Sequence, residues 1–194
     1  MNIYDFDETI YKGDTCKDVV KYGLIKHPFL TLNSLVKAFF LKKKYDKGLV
    51  SYEHAKEVML SFIFKTKNYE DFLNRFVDSH MKNVKPWYKD IQTENDIIAS
   101  ASYEIWISMF AERLGIKYVI ATKTDKNGKI VGKNCKASEK VNRLNKEFKN
   151  VKYIHAYSDS KVDTPILELA KESYVVEGDK LIPYKKNYPF KNTK

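Results

Sequence analysis

Cysteine, glycine and proline are scarce in this 194-residue chain, which holds two, seven and five of them. Cys16 and Cys135 lie far apart, without a Cys-x-x-Cys pair or clustered histidines. That excludes a disulfide framework and a structural zinc site. So little glycine and proline excludes collagen-like and low-complexity chains and disfavours an all-β fold with many tight turns. The start carries no basic segment followed by an apolar one. The longest apolar stretch, 29–41, contains Lys37 and ends in Lys42-Lys43-Lys44, too short to span a bilayer. The expected compartment is the cytoplasm. Arginine is also rare, at Arg75, Arg113 and Arg143, so the excess of 35 basic over 25 acidic residues, a net +10, is lysine. Lysine supplies a soft positive surface rather than the planar forks that read nucleic-acid bases. What is abundant is apolar: 43% of residues are hydrophobic against 31% charged. That is enough to offset the entropy of folding in one domain, or in a domain carrying a large insert.

The chain falls into three zones. Residues 2–6 read as a short strand, leading through the turn Lys12-Gly13-Asp14. Residues 16–90 show helical periodicity and almost no strand signal. Ser51 is placed as an N-cap, and so is Asn68 with Asp71, ahead of the stripe Tyr69, Phe72, Leu73, Phe76 and Val77. From Asp96 onward, strands and helices alternate. Strands are expected at 96–99, 118–121, 151–157 and 174–176. Helices are expected at 103–114, closed by Gly115, along Val141, Leu144 and Phe148, and over 165–170. Asn127-Gly128 fits a hairpin turn. This alternation implies an α/β fold with a Rossmann-like parallel sheet. The expected division is a catalytic core of 1–14 and 92–194, with an all-helical cap at 15–91 inserted after the first strand.

Ligands of open α/β sheets sit beyond the carboxyl ends of the strands. Asp5-Phe6-Asp7-Glu8-Thr9 follows the first strand, Ser100-Ala101-Ser102 the second, and Ser158-Asp159-Ser160-Lys161-Val162-Asp163 a later one. Lys136 and Lys140 stand at the start of the helix between the last two. Carboxylates without cysteine or histidine favour a hard cation, Mg2+. A lysine and a hydroxyl beside it would hold phosphoryl oxygens. One aspartate would attack phosphorus, and a second, two residues on, would move protons.

Asp-x-Asp-x-Thr, then Ser, then Lys, then Asp-x-x-x-Asp, in this order and context, resembles the haloacid dehalogenase superfamily of phosphohydrolases. With a helical cap after the first motif, it is similar to the subgroup that contains phosphoserine phosphatase. The resemblance implies that Asp5 is the nucleophile and a Mg2+ ligand. Asp7 becomes the general acid/base, with its carbonyl on the metal. Ser100 binds the phosphoryl group, with Ala101 and Ser102 beside it, and Thr9 supports the first loop. Asp159 is a ligand, and Asp163 a ligand or its partner. Lys136 and Lys140 both fit the catalytic lysine, with Lys140 preferred for the Lys-Val-x-x-Leu pattern. Asp7 departs from the threonine of P-type ATPases and from the dehalogenases, so hydrolysis of a phospho-enzyme is implied. Ser158-Asp159 replaces the usual Gly-Asp.

Bland alternatives stand beside these. Ser102 and Asp163 are also candidate helix caps, and the lysine not used in catalysis is a solvated one. The expected substrate is a small phosphorylated molecule. Asp14 matches an acidic residue that meets the substrate amine in phosphoserine phosphatases. No arginine occurs at Lys56-Glu57-Val58-Met59-Leu60, and Arg75 lies on another helix, which counts against phosphoserine. A lipid phosphate is a second substrate class. The 28–44 segment either packs inward with a solvated lysine end or forms a surface that approaches a membrane. Nucleic-acid binding through the +10 charge, 14 tyrosines and 11 phenylalanines is disfavoured for want of a module motif. Monomer and dimer are equally open.

Overall fold

A computed structural model describes residues 1–190, with the Lys43 side chain outside the described set. The last four positions of the expected core range therefore lie outside the described residues. Six strands form one sheet in the order β3-β2-β1-β4-β5-β6. They are β1 Ile3–Tyr4, β2 Ile97–Tyr103, β3 Tyr118–Thr122, β4 His155–Ser158, β5 Glu172–Glu177 and β6 Lys180–Pro183. All pair in parallel except β6, which returns antiparallel along β5. The chain winds outward from β1 in one direction to β2 and β3, and in the other to β4 and β5. The switch point is thus the crevice beyond the ends of β1 and β4, where such sheets bind ligands.

Period-two alternation sorts the strand residues onto two faces. Ile3, Ile97, Ala99, Ala156 and Val175 enter one buried cluster with Leu144, Ile166 and Leu167. Tyr4, Ile98, Tyr157 and Val176 enter the other. On that second face the rings of Tyr4, Tyr157 and Tyr174 stack across three neighbouring strands. Their centroids are 4.5 and 5.2 Å apart and their planes within 14°. Trp87 lies 5.8 Å from the Tyr157 ring.

Between β1 and β2 run five helices: α1 Thr15–Lys26, α2 Pro28–Tyr45, α3 Tyr52–Lys65, α4 Tyr69–His80 and α5 Pro86–Ile91. Caps begin three of them as expected or nearby. Asp14 accepts from the Lys17 amide, Ser51 from that of His54, and Asn68 from that of Asp71. Leu60, Phe62, Ile63, Phe72, Phe76 and Val77 of the insert are buried in the same cluster as Tyr4, Trp106 and Phe110. Each such side chain contributes about 1.5–3 kcal/mol, so the insert and the sheet share one core.

After β2 come α6 Glu104–Leu114, α7 Ser138–Glu147 and α8 Thr164–Leu167. Gly115 closes α6 in the left-handed region at φ 71°, a conformation glycine adopts without steric cost. Gly128, at φ 80°, turns the chain between Thr124 and Ile130.

Several expected boundaries differ. The first strand is two residues long, because the Thr9 and Tyr11 amides both bond the Phe6 carbonyl and bend the chain there. The strand expected at 151–157 begins at His155, since its partner β1 offers so short a ladder. The helix expected over 165–170 is a single turn entered through a 3-10 turn at Lys161–Asp163. The strand of 174–176 extends to Glu172–Glu177 and carries the unexpected edge β6. No helix is long and apolar enough to cross a membrane among the described residues.

Candidate active site

Asp5 leaves the end of β1 and is held there by its amide, which donates to the Tyr157 carbonyl at 2.9 Å. Its carboxylate is buried, 7% exposed. One oxygen accepts from Lys140 Nζ at 2.6 Å and the other from Thr9 Oγ1 at 3.1 Å. Lys140 stands in the first turn of α7, is 1% exposed, and donates equally to Asp163 at 2.7 Å. Asp163 also accepts from Ser158 Oγ at 3.0 Å. The lysine left ambiguous by the sequence is therefore placed: Lys140 joins the carboxylates. Lys136 instead lies 5.7 Å over the Tyr52 ring at the cavity wall. A cap role for Asp163 does not hold, because its carboxylate makes no cap bond to α8 and faces Lys140.

Asp7 is gripped at both oxygens, by the Thr15 amide at 2.6 Å and by Ser102 Oγ at 2.6 Å. The cap role for Ser102 likewise does not hold. β2 runs directly into α6, whose N-cap position is Tyr103 without a side-chain bond, and the Ser102 hydroxyl goes to Asp7. It also accepts from Thr15 Oγ1 at 3.0 Å. Ser100 is fully buried and accepts from the Ser102 amide, where the register of β2 shifts between Ala99 and Tyr103. Ala101 lines the cavity. Its carbonyl accepts from Lys56 of α3 at 2.7 Å. Thr9 ties the first loop to the fourth: its hydroxyl lies 3.4 Å from Asp159 Oδ1 and accepts from the Asp159 amide at 3.0 Å.

Asp5, Asp7, Asp14, Lys136, Lys140, Asp159 and Asp163 border one cavity of about 150 Å3. That is below the roughly 300–1,000 Å3 of sites for drug-sized ligands, and suits a small molecule. Burial drives the Asp5 carboxyl up to about 8; Lys140 opposes this, and Asp163 and Asp159 add to it. Burial and the neighbouring Asp163 raise Asp159 to about 6. Burial also raises Asp7, against the bonds from Ser102 and Thr15. Lys140 is pulled down by burial, but Asp163 and Asp5 more than reverse this and hold it cationic. Carboxyl groups thus outnumber the one buried cation, Lys140, and every one of them offers oxygen.

That donor set fits a hard divalent cation. Among the described residues no three His, Cys, Asp or Glu side chains form a metal cage by themselves. Mg2+ does not need one: it binds through one or two carboxylates, keeps waters, and takes phosphate oxygens. Asp5 and Asp159, bridged by Thr9, would supply those carboxylates.

Four contributors were given no role from the sequence. Thr15 and Ser158 orient Asp7 and Asp163. Lys56 fixes the Ala101 loop and also donates to Asn134. Lys85 donates to the carbonyls of Glu8 and Gly178 at 2.6 Å each, holding Glu8 at φ 59° on the cavity edge. Threonine and serine beside a motif are visible as types, but a lysine arriving from a distant helix leaves no local signal.

A family model of haloacid dehalogenase-like hydrolases matches residues 3–168. Protein CicA of Caulobacter vibrioides is 36% identical over 83 residues, 39% of this chain and 37% of that one. The chain thus spans little more than a third of the curated relative it matches. A Bordetella pertussis Tohama I protein of unknown function superposes with a TM-score of 0.71 at 18% identity, covering 90% of this chain and 88% of that one. A probable phosphoserine phosphatase from Vibrio cholerae gives 0.60 at 12%, covering 89% and 55%. A phosphoserine phosphohydrolase-like protein from Francisella tularensis SCHU S4 gives 0.55 at 17%, covering 90% and 87%. At such identities these likenesses speak for the fold.

Proposed function

The chain belongs to the haloacid dehalogenase-like hydrolases, and from that premise we propose that it is a Mg2+-dependent phosphatase acting on a small phosphate monoester. The observation that carries this is the pair Asp5 and Asp7 at the sheet's switch point. One carboxylate is bonded to a buried lysine and the other is gripped by an amide and a hydroxyl.

Asp5 attacks phosphorus, the bond to the ester oxygen breaks, and an aspartyl-phosphate forms on Asp5. Asp7 gives its proton to the departing oxygen. It then takes a proton from the water that cleaves the acyl phosphate, which releases phosphate and restores Asp5. Burial favours the protonated Asp7 that the first step needs; it works against the ionised Asp5 that attacks, which Lys140 counters and a bound cation would counter further. Lys140 stays charged and fixes the Asp5 oxygen it touches, and Ser100 and the Ala101–Ser102 backbone shape the phosphoryl seat. Asp5 and Asp159, with the Asp7 carbonyl, would hold Mg2+, which would neutralise charge on the transferring group. Asp163 acts as the partner of Lys140. In this reading the helical insert 15–91 serves as a cap beside the cavity, whose lining reaches the start of the insert at Asp14. Nucleic acid is not proposed as a partner.

A panel of soluble phosphate monoesters assayed with Mg2+ tests the reading. Hydrolysis of at least one ester is expected, lost with a chelator and reduced about 10^3-fold or more in Asp5→Asn. Equal activity of the wild type and Asp5→Asn would refute the nucleophile.

A further inference from the structure

α2 leaves its largest apolar side chains outside. Its face toward the insert carries buried Thr31 and Ser34, with Ser34 Oγ 3.0 Å from Ser61 Oγ of α3. Its outward face carries Phe29, Leu32, Val36, Phe39 and Phe40 at helical spacing. Phe29 is 88% exposed, and Phe39 and Phe40 are 63% exposed each. Ile25, at the end of α1, and Leu49, just past α2, are exposed as well. The inward-packing reading thus describes one face, with Leu30, Leu35 and Leu41 half-buried, and leaves the phenylalanines outside it. A helix that only needed to cover α3 would bury its phenylalanines, and a contiguous apolar surface on a water-soluble face marks an interaction site.

Charge identifies the partner. The α2 sequence contains no Asp or Glu, and its last turns hold Lys42, Lys43 and Lys44, with Lys37 before them and Lys47 just after. Lys37, Lys42, Lys44 and Lys47 are exposed. Cations at a helix C-terminus complement its dipole, but that does not account for the phenylalanines beside them. Two copies pairing through α2 would offer these lysines no carboxylate except Asp46, just past the helix end. Aromatic side chains flanked by lysine suit the boundary of a bilayer, with rings at the acyl edge and ammonium groups among anionic headgroups. We propose that the outward face of α2 docks on the surface of an anionic lipid bilayer. The end of α2 lies two ring contacts from the cavity wall: the Tyr45 ring is 6.4 Å from that of Tyr52, over which sits Lys136.

Vesicle flotation tests this independently of any activity. The full chain is mixed at low and high salt with vesicles of phosphatidylcholine alone, or of phosphatidylcholine with phosphatidylglycerol. Co-flotation is expected with the anionic vesicles at low salt, falling at high salt. The exposed-site variants Phe39→Ser with Phe40→Ser, and Lys42→Glu with Lys44→Glu, should each lower the bound fraction about tenfold while leaving circular dichroism unchanged. Absence of flotation at low salt, or variants that float as well as the wild type, overturns the proposal. So does light scattering that shows a dimer dissociated by the phenylalanine variants without vesicle binding, because the face then belongs to a second copy. Each of these results leaves the phosphatase reading untouched.

Discussion

Lys140 joins two acids that would otherwise be buried without a cation. Removing one member of such a set leaves uncompensated charge, at a cost of about 3–5 kcal/mol. Lys140→Met is therefore expected to lower the urea-unfolding free energy by that amount in metal-free buffer. A loss below about 1 kcal/mol would mean that the ammonium is not what makes the cluster tolerable. Ser102 acts at one remove. It holds one Asp7 oxygen while the Thr15 amide holds the other, so Ser102→Ala loosens the acid without emptying the site. kcat should fall about 10–100-fold with KM little changed, and Ser102→Thr should recover most of the loss. A rise in KM at constant kcat would move Ser102 into substrate binding. Ser102 also shows where residue-level reading runs out. A serine one position before a helix is typed by sequence as a cap, and only the continuous passage of β2 into α6 frees its hydroxyl for Asp7.

At the scale of elements, Gly23 decides how α1 meets α3. A Cβ built there would lie 2.3 Å from a carbon of the Phe62 ring and 2.8 Å from Thr31 Oγ1. Helix propensity alone makes Gly23→Ala stabilising by about 1 kcal/mol. Overpacking against a buried ring costs about 1–3 kcal/mol, and here it dominates. The variant should melt lower than the wild type, and a higher melting temperature would show that the helices separate freely. The order of elements was legible because each has a long local signature. The apolar stripe of α4 and the glycine stop after α6 are of that kind. β6 was not legible, since Lys180-Leu181-Ile182-Pro183 is short and bounded by residues that suit an edge strand. Nor was the orientation of α2. Its apolar residues repeat with a helical period whichever side they face, and only burial shows that Thr31 and Ser34 are the inner ones. The aspartates of the site were legible for the opposite reason: each follows a strand, and the strand order brings those positions to one crevice.

At the scale of the whole molecule, the net +10 has two destinations. Lys140 and Lys136 border the cavity, and Lys37, Lys42 and Lys44 of α2 are exposed away from it. The cavity's surplus of carboxylate predicts that Mg2+ stabilises the fold. At a hundred times its dissociation constant it adds about 2.7 kcal/mol, or roughly 5–10 °C in a chain of this size. Calorimetry with and without Mg2+ should show that rise in the wild type and lose it in Asp159→Asn; an undiminished rise in the variant would place the ion elsewhere. The stacked, buried phenols of Tyr4 and Tyr157 bear on the alkaline end of the pH scale. Burial raises Tyr4 and Tyr157 above the ordinary phenol value, as it does Tyr88 and Tyr103. Below a pH of about 10 the folded and unfolded chains hold these protons alike. As pH climbs beyond that, the unfolded chain sheds them first, so stability falls through alkaline pH. Ultraviolet absorbance should then record phenolate appearing in two waves. The buried phenols of Tyr4, Tyr88, Tyr103 and Tyr157 form the later wave, ionising abruptly and together with collapse of the sheet, so that the molecule carries an intrinsic colour change for its own alkaline unfolding.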